Sequence, residues 1–167
     1  MKKTLLIIIT FFAVLVVSIL FTGYSMVIDV QKPISKTEYD CNSGEEIAVF
    51  EEFDFKDGEW EAFLVLSNYD QELLSKKRNC FVLQDKDILN ELRDLTFTCA
   101  GGDMTTVDSH FYLTRDGDLV FKSGIVLVEN QEGLQSEYFG WAEATRDNEL
   151  RELFERFRAV YLPLLII

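Results

Sequence analysis

From Leu5 to Phe21 the chain is apolar at every position but Thr10 and Ser18. Lys2 and Lys3 precede this run and Thr22-Gly23-Tyr24-Ser25 follows it. A spanning helix needs about 17 to 25 apolar residues, whereas the core of a cleaved secretory signal needs roughly 7 to 15. The run stands at the boundary. Tyr24 suits an interfacial anchor, while Gly23 and Ser25 suit a cut after Ser25. The expectation is a membrane anchor or signal peptide over 1–25, contacting the membrane through residues 5–24. Lysines before the run and acidic sequence after it place the remainder outside the cytoplasm, periplasmic or on the cell surface. Cleavage, with secretion, is the alternative.

From Val27 to Gly44 the pattern is polar and irregular, which predicts a spacer over 26–44. Apolar patterning resumes at Ile47-Ala48-Val49-Phe50, and Phe53-Asp54-Phe55 alternates with the period of two of a half-buried strand. Lys56-Asp57-Gly58-Glu59 then predicts a tight turn into a partner strand from Trp60 to Leu66. Cys80 to Leu83 predicts a short strand. Asp85 or Asp87 predicts a helix cap, and Ile88, Leu89, Leu92 and Leu95 share the helical face that follows. Gly101-Gly102-Asp103 predicts a break. His110 to Thr114, an Asp116-Gly117 turn and Leu119 to Val128 predict a second hairpin, with Gly124 as a bulge. A turn over Asn130 to Gly133, a strand from Tyr138 to Trp141 and a helix from Asp147 follow. In that helix Leu150, Leu153, Phe154 and Phe157 form the buried stripe. The tail from Tyr161 to Ile167 reads as a last strand or core plug.

Hairpin signals dominate over alternation of strands and helices. The fold class expected is therefore α+β: an N-terminal hydrophobic helix, then one antiparallel-sheet domain over 45–167, with about six strands and two packed helices. About 140 exported residues suit one core, and 14 phenylalanines argue against disorder.

Charge narrows the function classes. The whole chain carries 29 acidic and 16 basic residues, a net charge of −13. The exported part holds all the acids and every basic residue but Lys2 and Lys3, so it is more negative still. Such a domain repels nucleic acid and attracts a basic protein, a cationic ligand or a divalent metal. Asp40, Glu45, Glu46, Glu51, Glu52, Asp54, Asp57, Glu59 and Glu61 crowd the expected first hairpin. Of these, Glu51, Glu52, Asp54, Asp57 and Glu59 are the candidate binding residues.

The three cysteines lie in the exported part, where oxidation is normal. Cys80 with Cys99 is the expected disulfide, closing a loop of about 20 residues and contributing about 3 kcal/mol. Pairing of Cys41 with Cys99 or Cys80 is the alternative. The single histidine, His110, is expected to be structural or on the surface. Ser109 beside it points to the opposite face of a strand, so no nucleophile and base are paired. No cofactor, metal site or catalytic residue is expected. The reading is a binding protein, not an enzyme, of the class of inhibitors or immunity proteins that neutralise a basic secreted hydrolase or toxin. An accessory or structural subunit of a cell-envelope complex is the alternative.

Overall fold

The computed structural model describes residues 2–34, 41–101, 107–128 and 131–167, with the side chains of residue 2 and residues 18–20 outside the description. Asp40, Gly102, Asp103 and Asn130 lie outside the described residues. The protein is a mixed helix-and-sheet structure with a large antiparallel sheet and, among the described residues, four helices.

Helix α1, Lys2–Thr22, carries its described side chains exposed. Among the described residues no helix is long and apolar enough to cross a membrane. The described side chains of α1 run over residues 3–17 and then resume at Phe21.

Among the described residues the main sheet contains nine strands, all paired antiparallel: β2 (Glu46–Ile47), β3 (Trp60–Val65), β4 (Cys80–Leu83), β5 (Phe97–Cys99), β6 (Ser109–Arg115), β7 (Asp118–Val128), β8 (Gln131–Ser136), β9 (Gly140–Ala144) and β10 (Arg158–Ala159). Their spatial order is β10-β4-β3-β6-β7-β8-β9-β5-β2. The predicted Asp116-Gly117 turn joins β6 to β7. Both residues hold positive φ, 54° and 86°, as a two-residue hairpin loop requires.

The irregularity expected at Gly124 lies elsewhere. Leu113 pairs with Phe121 but Thr114 pairs with Leu119, so Val120 is the extra residue. This bulge sends Leu119 to one face of the sheet and Phe121 to the other. Gly124 is small for another reason: a Cβ there would stand 2.6 Å from a Val107 methyl. Gly133, expected in a turn, lies within β8, where a side chain would collide with the Ala142 carbonyl and the Trp141 ring.

Three helices join these strands: α2 (Asn68–Leu73), α3 (Lys86–Leu92) and α4 (Glu149–Glu155). Asp85 caps α3, accepting from the backbone N–H groups of Asp87 at 3.0 Å and Ile88 at 3.4 Å. Helix α2 was not expected. Its signal is Ser67 followed three residues later by Asp70, the pattern that closes a helix start. Ser67 Oγ accepts from Asp70 N–H at 3.1 Å. Ser67 Oγ and Ser109 Oγ both donate to Asp70 Oδ2, which ties α2 to β6.

One face of the sheet holds the main core. The segment expected to be the first strand of a hairpin is instead a run of turns between β2 and β3, and β2 pairs with β5 at the sheet edge. The physical reason is aromatic. Phe50, Phe53 and Phe55 all plunge into the core as the chain crosses from the edge to β3, and turns bring them to one side better than an extended strand does. The Phe50 ring lies 5.2 Å from Phe121, 5.6 Å from Phe111 and 6.2 Å from Phe97, all edge-on.

The opposite face carries Phe63, Tyr112 and Leu119. It is covered by a separate parallel ribbon, β1 (Met26–Ile28) with β11 (Leu164–Ile166). Val27, Leu165 and Ile167 pack inward on that face. Residues 26–34, expected within a spacer, thus belong to the folded body. Ser25 seals the joint: its N–H donates to Asn79 Oδ1 at 2.7 Å, its C=O accepts from Asn79 Nδ2 at 2.9 Å, and its Oγ donates to the Leu162 carbonyl at 2.8 Å.

Candidate functional site

Glu51, Glu52, Asp54, Asp57 and Glu59 are all exposed on the loop from β2 to β3. The loop is ordered from beneath by the three phenylalanines and by Trp60, whose indole N–H donates to the Asp57 carbonyl at 2.7 Å. It is ordered from the side by two cations. Arg93 donates to the Glu51 carbonyl at 3.3 Å, and Lys86 Nζ donates to the carbonyls of Lys56 at 3.2 Å and Gly58 at 3.1 Å. Both sets of contacts are made to backbone oxygens of the loop, whose acidic residues are exposed.

The five residues are not equivalent. Asp57 pairs with Arg115 at 2.6 Å. Asp54 accepts from the Lys56 N–H at 3.1 Å, bending its own loop. The Glu59 backbone is pinned through Asp116, its N–H donating to Asp116 Oδ1 at 2.9 Å. The structure therefore brings the predicted residues onto one ordered edge. A surface depression beside it is lined by Ala48, Glu51, Lys56, Asn90, Arg93, Asp94 and Thr96.

A second feature was not read from the sequence. On the far face, a cavity of about 460 Å³ is lined by His110, Lys122, Gly124, Gln135 and Ser136, with Gln31 to Pro33 as one lip. Burial and the nearby Lys122 ammonium lower the His110 pKa, opposed by Asp29 and Asp108. Lys122 pairs with Asp29 and stands 5.6 Å over the Tyr112 ring. Burial and then Asp29 push the Tyr112 hydroxyl up to about 12. Ser109 faces away from this cavity, toward Asp70, so it and His110 do not form a catalytic pair.

The cysteines correct the expected pairing. Cys41 is bonded to Cys99, with Cα atoms 5.5 Å apart, and Cys80 is a free, buried thiol. Strand pairing decides this. Cys80 lies on β4 and Cys99 on β5, at opposite ends of the sheet order. The chain before β2 runs back along β5, where the Gly44 N–H donates to the Cys99 carbonyl at 2.7 Å. Burial raises the Cys80 thiol to about 12. Among the described residues, no three of His, Cys, Asp and Glu converge as metal ligands.

Comparison with protein-family models, curated proteins and solved structures finds no match.

Proposed function

We propose that this chain is a membrane-tethered binding protein whose exported domain recognises a basic protein, in the manner of an inhibitor or immunity protein against a secreted hydrolase or toxin. The observation that carries this reading is the ordered acidic loop. Carboxylates on a mobile tail would lose conformational freedom on docking; here the aromatic plugs and the Lys86 and Arg93 contacts have already fixed the backbone. Preorganised charge of one sign raises the association rate of an opposite partner and selects against acidic ones.

The tether is supported by the sequence of α1 and by its joint to the domain. Apolar residues fill Leu5 to Phe21 except at Thr10 and Ser18. The Thr10 hydroxyl donates to the Leu6 carbonyl at 2.9 Å, so it asks nothing of its surroundings. Ser25, the residue before an expected cut, is buried and bonded to Asn79 and Leu162, contacts that favour retention of the helix over cleavage.

The test is affinity capture with the full chain in detergent micelles, against envelope and secreted proteins at low and moderate salt. The expected result is stoichiometric retention of a basic hydrolase, weakened by salt and lost in the triple variant Glu51→Gln, Glu52→Gln, Asp54→Asn. Retention unchanged in that variant would assign the contact to another surface.

A further inference from the structure

The ribbon of β1 and β11 is apolar on both sides. Val27 and Leu165 point toward the sheet, whereas Met26, Ile28, Leu164 and Ile166 are exposed on the other side. The register places Met26 beside Leu164 and Ile28 beside Ile166, so the four form one patch. Val30, Tyr161 and Leu162 extend it. Parallel strands are ordinarily covered on both faces, and a ribbon facing water would carry polar residues at these positions.

What covers the patch is set by the chain that leads to it. Gly23 and Tyr24 alone separate the end of α1 from Ser25, which is fixed to Asn79. Two residues span at most about 7 Å. Whatever surrounds the end of α1 therefore reaches Met26 as well. Exposed Tyr24 and Tyr161 stand at this junction, the residue type that settles at a lipid–water boundary. Two basic residues, Lys77 and Arg78, are there too. The Lys77 carbonyl abuts Gly23, the Lys77 side chain is exposed, and the Arg78 guanidinium lies 4.1 Å over the Tyr161 ring. In a strongly acidic domain, cations gathered at this end match lipid phosphates.

We infer that the outer face of the β1–β11 ribbon rests in the headgroup region of the bilayer that holds α1, so that the domain lies against the membrane. This rests on the tether reading of α1. The contact seats the domain in one orientation, with the ribbon face toward lipid.

Single cysteines at Ile28, Ile166, Ile9 and Asp94, each in the full chain, carry an environment-sensitive fluorophore. Cys80 is buried and Cys41 and Cys99 are bonded, so labelling stays specific. The proteins are reconstituted into phosphatidylcholine vesicles with nitroxide either on the headgroup or deep in the acyl chain. The expected result is loss of more than about half of the emission at 28 and 166 with headgroup nitroxide, deep quenching at 9, and neither at 94. Quenching at 9 with none at 28 and 166 would overturn the ribbon contact and leave the tether standing. Absence of quenching at 9 would remove the tether and the ribbon contact with it. Shielded emission at 28 and 166 without lipid quenching would assign the face to a protein, a second copy included, and overturn the inference.

Discussion

Ser25 and Asn79, 54 residues apart in sequence, hold one another by two reciprocal hydrogen bonds, with side chain and backbone both buried. Removing the Asn79 amide strands the Ser25 N–H and C=O away from water. Asn79→Ala is expected to cost about 2–3 kcal/mol, read from the denaturant midpoint. It should also open the bonds around Gly23 to limited proteolysis while leaving β3 to β9 protected.

The Cys41–Cys99 disulfide closes a separation of 58 residues. Cys99→Ser, with Cys41→Ser to avoid a stray thiol, is expected to cost about 4 kcal/mol on the chain-entropy argument. Cys80 gives the internal control. With its thiol raised to about 12 by burial, it should resist iodoacetamide in the native protein at pH 8 and react promptly in denaturant, as followed by intact mass.

Glu132 and Arg151 form the least exposed ion pair described, at 3.1 Å, off the line of a good hydrogen bond. Arg151 also donates to the Leu127 carbonyl at 2.7 Å. Arg151→Leu leaves the buried Glu132 carboxylate with only the backbone N–H of residue 151, at 3.3 Å, and is expected to cost about 3 kcal/mol at neutral pH. Burial raises the Glu132 pKa above 4.5, against the pull of Arg151. A carboxyl raised on folding stabilises the fold below its unfolded pKa, and that support is lost as pH rises through the folded value. The variant should therefore lose least near pH 4, and Glu132→Gln in the same chain should restore part of the loss at pH 7. Thermal melts across pH check both.

His110 runs the other way. Its pKa is lowered from 6.5, so the unfolded chain binds a proton that the folded one refuses. Stability from this group is present above 6.5 and declines as pH falls from 6.5 through the folded value. It is the chain's one histidine, so a single imidazole resonance reports its titration. His110→Asn should flatten the stability profile over that window.

Much of the fold was legible because its signals are local. Asp85 ahead of Ile88, Leu89 and Leu92 gave α3, and Asp116-Gly117 gave the β6–β7 turn. The loop carrying Glu51 to Glu59 misled, since alternating Phe53 and Phe55 resemble a strand whether the chain is extended or crossing a core in turns. Cys99 could not be assigned locally either: its partner follows from β2 lying beside β5, a long-range pairing. The acidic residues were legible as a group, but which of them is spent on Arg115 was not. Gly124 was read as a bulge, whereas its smallness serves the approach of Val107, a contact that no local signal announces.

The ribbon also imposes an order of events. Ser25 is made early, and the Leu162 carbonyl that receives its hydroxyl arrives 137 residues later. Until then Leu165 and Ile167 cannot lie over Phe63, Tyr112 and Leu119. Closing so long a loop is the slow kind of contact, so this face stays open at least until β11 has been made. A chain lacking Leu164 to Ile166 would keep that apolar face uncovered beside α1, so the ribbon ties the cover of this face to two segments far apart in sequence.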